Sequence, residues 1–480
     1  MKNVLVNLDK ELALYPQNAD AVGVRSEINH VIDIPSALEV AQKGERILKM
    51  IKAGAYKNPV LVKSIIQRSE DLWSAPSEFS ITQEEAYRIA ELFFISNQKA
   101  PGERNLLKAS HTGKEIIEAV VAIFEQAGKP LDDVEFDEPY FHTALLEATG
   151  EQWFTTLENR RLDKFRAAKK LINIRQNVST NIKKTFTTEA NNLLGKYMKV
   201  WDSMLRSGEL FYTLTVVPTR EDAATDQMDY ADYTKQYVQS IDQPWDEIWI
   251  AQELLIKKLD AGKEMVIRNE HGTNIRFSIE WMTFANSLVL KNIPWSEAFS
   301  APLKYSVNGK IVAKWRFKFD NSPIIIDPRM YIEDGEIIAC WAAENAEAFQ
   351  QIIYKNPNAN YFGEFGIGTN PGLTRHLING LLVEKISGSF HMAVGWAYTY
   401  TSYDGQPVHL DNGNESPIHR DITIMLRDMK SEMVLDGEPI QANGKWLDPA
   451  LSVLNEWRWA LPEDRQPQRR KNKNSEKPTS

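Results

Sequence analysis

The chain has 480 residues, 43% of them hydrophobic and 25% charged, enough for two or three domains of about 100–200 residues each and too apolar for disorder along its whole length. Its one cysteine, Cys340, excludes a disulfide framework and any cysteine-built zinc or iron–sulfur site and fits a reducing compartment. The net charge of −9 argues against extended nucleic-acid binding, no apolar run reaches the roughly 18 residues of a membrane span, and Asp9, Lys10 and Glu11 stand where a signal peptide needs an apolar core, so the expected location is the cytoplasm, without membrane or nucleic-acid partners.

Residues 37–53 have helical spacing, and a second helix is expected over 82–94, with Glu84 and Glu85 early, where the helix dipole favours them. Residues 105–109 read as a short strand. Thr112 can cap a helix over 114–126, with Gly128 and Pro130 just beyond its end. Strand, loop and helix in this order are the rhythm of an α/β layer. Residues 158–172 read as a charged helix carrying Arg160, Arg161, Lys164, Arg166, Lys169 and Lys170. Only Phe165 is available there for stacking on bases, so a solvated face explains these charges better than a phosphate backbone does.

Residues 230–260 read as helical, with an apolar stripe of Trp245, Ile248, Leu254 and Leu255. The texture then changes. Strands are expected at 264–267 and 274–279 around His271-Gly272. Tight-turn pairs follow at Asn308-Gly309, Asp334-Gly335, Asp404-Gly405, Asp436-Gly437 and Asn443-Gly444, the strongest short-range hairpin signal. The expected class is α+β: a helical N-terminal extension over 1–87, an α/β domain over 88–260 and an antiparallel-β-rich catalytic domain over 261–455. A basic tail over 456–480 has the composition of a disordered segment.

Chemistry-bearing residues concentrate in the β-rich part. Four of the eight histidines, His376, His391, His409 and His419, fall within 44 residues. On a strand, His419 and Asp421 point to one side, a metal-ligand pair by geometry, while Ile418, Ile422 and Ile424 point to the other. A surface pair or a buried hydrogen bond is the commoner use of such spacing. Glu364 stands in a glycine-rich apolar run, 361–372, that misses the dinucleotide fingerprint because Pro371 interrupts the helix start. A carboxylate in such a run needs a partner, either a metal ion or an arginine. His391 begins an apolar strand, and Glu297 sits among apolar and turn residues.

Taken in order, these pieces read N-I-P-W-S-E-A-F-S-A-P, E-F-G-I-G-T-N, E-K-I-S-G-S-F-H-M-A-V-G and N-E-S-P-I-H-R-D. Together they resemble the motifs of the aminopeptidase T family, the thermophilic metalloprotease family of dinuclear metalloaminopeptidases. The resemblance covers about 85–448. It implies metal ligands at Glu297, Glu364, His391, His419 and Asp421, and an active-site tyrosine at Tyr398. It also implies peptide substrates and a homodimer. Three departures, Ser296 and Ser387 for glycines and Val383 for an aspartate, leave the ligand set intact and bear on pocket shape.

Three carboxylates and two imidazoles can hold two divalent ions when one carboxylate bridges them. Zinc, cobalt and manganese all suit such nitrogen and oxygen donors. Tyr398 can donate to a tetrahedral oxyanion. Glu384 is a candidate for general acid–base work, with a salt bridge to Lys385 or an arginine as the equally good alternative. Two other functions fit the same residues. His391, His419 and Asp421 alone make a two-histidine, one-carboxylate iron triad, as in ring-cleaving dioxygenases of similar fold; the third reading is a binding protein with little turnover.

Overall fold

The computed structural model describes residues 79, 81–136, 151–177, 188–319 and 322–456. The expected helix at 37–53, the basic tail and nearly all of the N-terminal extension lie outside these residues. The described residues form two compact units. One runs to Tyr237 and includes Val289–Trp295; the other comprises Val238–Leu288 and the chain from Ser296 onward.

The first unit opens with helix Gln83–Lys99. Thr82 starts it with a full capping box: the Glu85 amide donates to Thr82 Oγ1 at 3.2 Å, and the Thr82 amide donates to Glu85 Oε2 at 2.7 Å. The helix continues past the expected end at 94 because no breaker occurs before Pro101. Behind it lies a five-stranded parallel sheet, in the order Asp133–Phe136, Leu106–Ala109, Lys170–Gln176, Phe211–Val217 and Asn292–Ile293. Helix Lys114–Gln126 forms as expected and buries Ile116, Ile117, Val120, Val121 and Phe124. Its cap is Gly113, without a side-chain bond; the Thr112 hydroxyl donates to Gln176 instead.

The charged helix ends earlier than its composition suggests. It spans Glu151–Ala168, Lys169 turns with φ +62°, and Lys170–Gln176 is a strand. Leu171, Ile172 and Ile174 are fully buried there, and a buried parallel strand reads as the same continuous apolar run that a buried helix gives. Arg161, Lys164 and Arg166 each pair with a carboxylate, at 3.1, 2.8 and 3.0 Å. The stretch 230–260 is two helices, Tyr230–Ile241 and Trp245–Asp260. Pro244 between them lacks the amide a continuous helix needs. Ile248 and Leu255 are buried, whereas Leu254 is exposed.

Among the described residues the second unit holds two large antiparallel sheets and two of two strands each. The larger has eight strands in the order Glu336–Trp341, Arg329–Glu333, Asn308–Val312, Asn274–Ser278, Glu264–Asn269, Ser431–Leu435, Glu438–Ala442 and Lys445–Trp446. The smaller has five: His419–Met425, Ser389–Gly395, Phe362–Gly368, Glu297–Ser300 and Ala285–Asn286. Phe277 of the larger meets Phe365 of the smaller edge-to-face at 4.8 Å, which places the unit's core between them. Four of the expected turn pairs, Asp334-Gly335, Asp404-Gly405, Asp436-Gly437 and Asn443-Gly444, join neighbouring strands with positive φ at both residues, as a tight hairpin requires. Asn308-Gly309 is different, because it opens a strand rather than a turn. Gly309, at φ +122°, lies so close to the neighbouring strand that a Cβ would meet the Asn274 carbonyl at 2.2 Å. The fold is therefore α+β with antiparallel sheet dominating the second unit. Among the described residues no helix is long and apolar enough to cross a membrane.

Candidate metal centre

The five-stranded sheet gathers the candidate residues through register and alternation. Gly368 lies opposite Glu297, Gly366 opposite His391, Glu364 opposite Ala393, Ala393 opposite Asp421 and Gly395 opposite His419. Opposed residues share a face and alternate residues return to it. Glu297, Glu364, His391, His419 and Asp421 therefore project from one face, although four different strands supply them. The positions between them on that face are Gly366, Gly368 and Ala393, which carry almost no bulk. A Cβ on Gly366 would stand 2.2 Å from His391 Cε1 and Nε2 and 3.0 Å from Glu297 Oε1. The opposite face carries Phe365, Ile367, Phe390, Met392, Ile422 and Ile424, all buried.

His391 Nε2 lies 2.9 Å from Glu297 Oε1, 3.4 Å from Glu364 Oε1 and 4.0 Å from Asp421 Oδ1. His419 Nε2 lies 2.8 Å from Glu364 Oε2 and 3.6 Å from Asp421 Oδ1. Glu297, Glu364 and His391 are 5%, 3% and 0% exposed; His419 and Asp421 are half-buried. Burial by itself would raise all three carboxyl groups. Lys385 and His391 bring Glu297 below the usual carboxylate range, His391 and His419 do the same for Glu364, and His419 does it for Asp421. Burial opposes charge on the imidazoles as well, yet Glu297 and Glu364 raise His391 well above its ordinary value. Asp421 and Glu364 raise His419 to about 10. The three carboxylates are thus held ionised by the positive groups beside them.

Two further details bear on whether a metal fits. The ring nitrogen Nδ1 of His419 lies 2.6 Å from the Trp396 carbonyl, which makes it a donor and directs Nε2 at the carboxylates, where a metal would take the place of its proton, the orientation of a metal-ligating histidine. Asp421 Oδ1 is buried with no hydrogen-bond donor among the described residues; His419 at 3.6 Å is too distant to be one. Two groups of three have ligand atoms within 4.8 Å of one another: Glu297, Glu364 and His391, and Glu364, His419 and Asp421. Carboxylate oxygens and imidazole nitrogens suit zinc, cobalt or manganese, and an orphaned buried acceptor is what a cation satisfies. The residues fit a divalent metal.

Residues 82–446 match the family model of the thermophilic metalloproteases, M29. The chain belongs to that family. It is accordingly a metalloprotease, a hydrolase that uses divalent metal and acts on peptide bonds. No curated protein matches this sequence. Among solved structures, wild-type AmpT from Thermus thermophilus is similar at 16% identity, covering 76% of this chain and 99% of its own, with a TM-score of 0.60. At that identity the likeness is one of fold. A 2,5-dihydroxypyridine dioxygenase from Pseudomonas putida KT2440 is similar at 13% identity, over 78% of this chain and 100% of its own, with a TM-score of 0.46.

The other sequence-derived candidates of the metalloprotease divide around this centre. The Tyr398 ring lies 5.0 Å from the His419 ring. The Glu384 carboxylate pairs with Lys385 Nζ at 2.8 Å, and burial, reinforced by Glu297 and Asp421 and opposed by Lys385, pushes its carboxyl up to about 8. Two of the four clustered histidines stand apart from the centre. His376 is buried against Trp315 and Phe317, and burial pushes its imidazole down to about 3. His409 is bonded through Nδ1 to the Trp281 carbonyl at 3.1 Å.

Two residues support Glu297 without having been tied to it by the sequence: Lys385, expected only as a partner of Glu384, and Gln252. Lys385 is 1% exposed, and its ammonium bonds both Glu297 Oε2 and Glu384. Adjacency to Glu384 was its only signal. Gln252, fully buried on helix Trp245–Asp260, donates to the Glu297 carbonyl at 2.6 Å and to Asn286 Oδ1 at 2.7 Å. It accepts from Thr369 Oγ1 at 2.7 Å and Ser296 Oγ at 3.3 Å. Ser296, at φ +100°, occupies a conformation that favours glycine, and these bonds together with Thr369 Oγ1 at 2.7 Å hold it. Nothing in the sequence ties a helical glutamine to a ligand 45 positions later.

Breaking a buried ion pair from one side leaves the other charge unsolvated, at a cost of about 3–5 kcal/mol. Lys385→Met is expected to lower the stability of the chelator-treated protein by that amount, measured by urea unfolding. A loss below about 1 kcal/mol would show that Lys385 is not the counter-ion of Glu297.

Proposed function

We propose that this metalloprotease is an aminopeptidase that works with two divalent ions, zinc, cobalt or manganese. The observation that carries the reading is the sharing of Glu364 between two ligand groups, Glu297–Glu364–His391 and Glu364–His419–Asp421. In this reading Glu297 and His391 hold one ion, His419 and Asp421 hold the other, and Glu364 bridges. Such a pair supplies an activated water and polarises the scissile carbonyl. The Tyr398 phenol donates a hydrogen bond to the carbonyl oxygen as negative charge develops on it. Glu384 keeps two roles open, proton carrier or structural partner of Lys385. The mononuclear iron alternative would use His391, His419 and Asp421 alone. Glu297 and Glu364 lie nearer to the imidazole nitrogens, at 2.9 and 2.8 Å, than Asp421 does at 4.0 and 3.6 Å, which favours the five-ligand reading.

Elemental analysis after metal loading is expected to give about two ions per chain, in line with two-metal hydrolases. His419→Ala and Asp421→Ala are each expected to lower that count, and wild-type content in both would remove the strand pair from the site. One iron per chain would support the alternative.

Loss of one oxyanion donor costs about 100- to 1,000-fold in rate. Tyr398→Phe is therefore expected to lower kcat by that factor with KM and metal content unchanged. A kcat within about threefold of wild type on aminoacyl substrates rejects the oxyanion role. A fall in bound metal instead makes Tyr398 a ligand.

The family resemblance adds a homodimer working in the cytoplasm. Light scattering that returned the mass of one chain, 54.9 kDa, would reject the dimer.

A further inference from the structure

The ligand cluster is bordered unevenly. Beside Glu297 stands the Glu384–Lys385 ion pair, while beside His419 stand aromatic rings. Phe299 lies two residues beyond Glu297 on the same strand and opposite Gly366, so it projects from the ligand face. Its ring meets Tyr398 at 5.4 Å and Tyr403 at 5.4 Å. Tyr398 touches the His419 ring at 5.0 Å, meets Trp396 at 4.9 Å and stacks on Tyr400 at 5.2 Å with 17° between the planes. Tyr400 lies 6.3 Å from Tyr403. Phe299 and Tyr403 are buried, whereas Trp396, Tyr398 and Tyr400 are half-buried. The rings thus form a continuous wall with a packed base and partly accessible tops, starting at a candidate ligand. None of them is a lysine, arginine, aspartate or glutamate.

We propose that this wall is the subsite for the side chain of a substrate's first residue, and that it selects a large apolar or aromatic side chain. The inference rests on the aminopeptidase reading. A peptide whose free amino group and first carbonyl are held at the ligand cluster projects its first side chain from the carbon between them, onto whatever borders the cluster. On the ring side an acidic side chain loses hydration against the negative ring faces, and a methyl group leaves most of the aromatic surface uncovered. A phenyl or isobutyl group covers it, and a phenyl group adds edge-to-face or offset contacts. Apolar pockets discriminate by about 10- to 200-fold for a missing methylene, so preference rather than strict exclusion follows.

The test compares phenylalanyl, leucyl and alanyl p-nitroanilides as substrates, and L-phenylalanine with L-alanine as ligands, on metal-loaded protein. Wild type is expected to favour the phenylalanyl and leucyl substrates in kcat/KM, and L-phenylalanine in calorimetric binding, by at least about tenfold. Phe299→Ala and Tyr400→Ala, the second a half-buried position less tied to the core, are each expected to cut both preferences about tenfold, read as the ratio of phenylalanyl to alanyl kcat/KM and of L-phenylalanine to L-alanine affinity. Equal treatment of the three substrates and two ligands by wild type, or preferences unmoved by both variants, would overturn the subsite and leave the aminopeptidase reading standing. If no aminoacyl substrate turned over but L-phenylalanine were still preferred and the variants lost that preference, the aminopeptidase reading would fall and the ring wall would stand as a binding site. Neither turnover nor binding would reject both.

Discussion

Acidic and basic groups alternate along one buried line in this protein. Glu384 meets Lys385, Lys385 meets Glu297, Glu297 meets His391, His391 meets Glu364, Glu364 meets His419, and His419 approaches Asp421. No carboxylate in it can be left alone, because an isolated buried charge costs far more than a fold's net stability provides. Protons on the imidazoles answer that demand, and so would divalent cations. The same constraint explains why Lys385 is buried with its charge intact. It neutralises the outer side of Glu297, so that only the inner oxygen faces the cluster.

Space is the second requirement, and glycine and alanine meet it. Large side chains on one face of a twisted sheet interdigitate and exclude ligands. Here Gly366, Gly368 and Ala393 leave room between the ligand-bearing positions, while the opposite face buries its Phe, Ile and Met side chains toward the larger sheet. The centre therefore stands on a packed, rigid support, as preorganised chemistry requires. Gln252 extends that support from sheet to helix, holding the carbonyl of Glu297 and the strained turn at Ser296.

Several features were legible in the residues alone. The tight-turn pairs announce most of the hairpins, since only a few residue pairs adopt positive φ twice in succession. The helix over 114–126 shows its apolar period and its end signals. Alternation on a strand places His419 and Asp421 together without any knowledge of the fold. The ordered motifs bring out the five candidate ligands and the tyrosine beside them.

What tertiary structure decided are the relations between distant segments. A continuous apolar run is ambiguous between buried strand and buried helix, so 170–172 reads as the end of a helix until the neighbouring strands claim it. Asn308-Gly309 reads as a turn until the approach of Asn274 shows why a glycine is needed inside a strand. Histidine spacing groups four residues, but only the sheet register separates His391 and His419 from His376 and His409. Lys385, Gln252 and the ring wall acquire meaning through contacts across many positions of chain. The sequence by itself determined which chemical groups this protein has and the local periods that orient them; the sheet register alone decided which of them meet, because register is set by the packing of whole strands and not by any short stretch of residues.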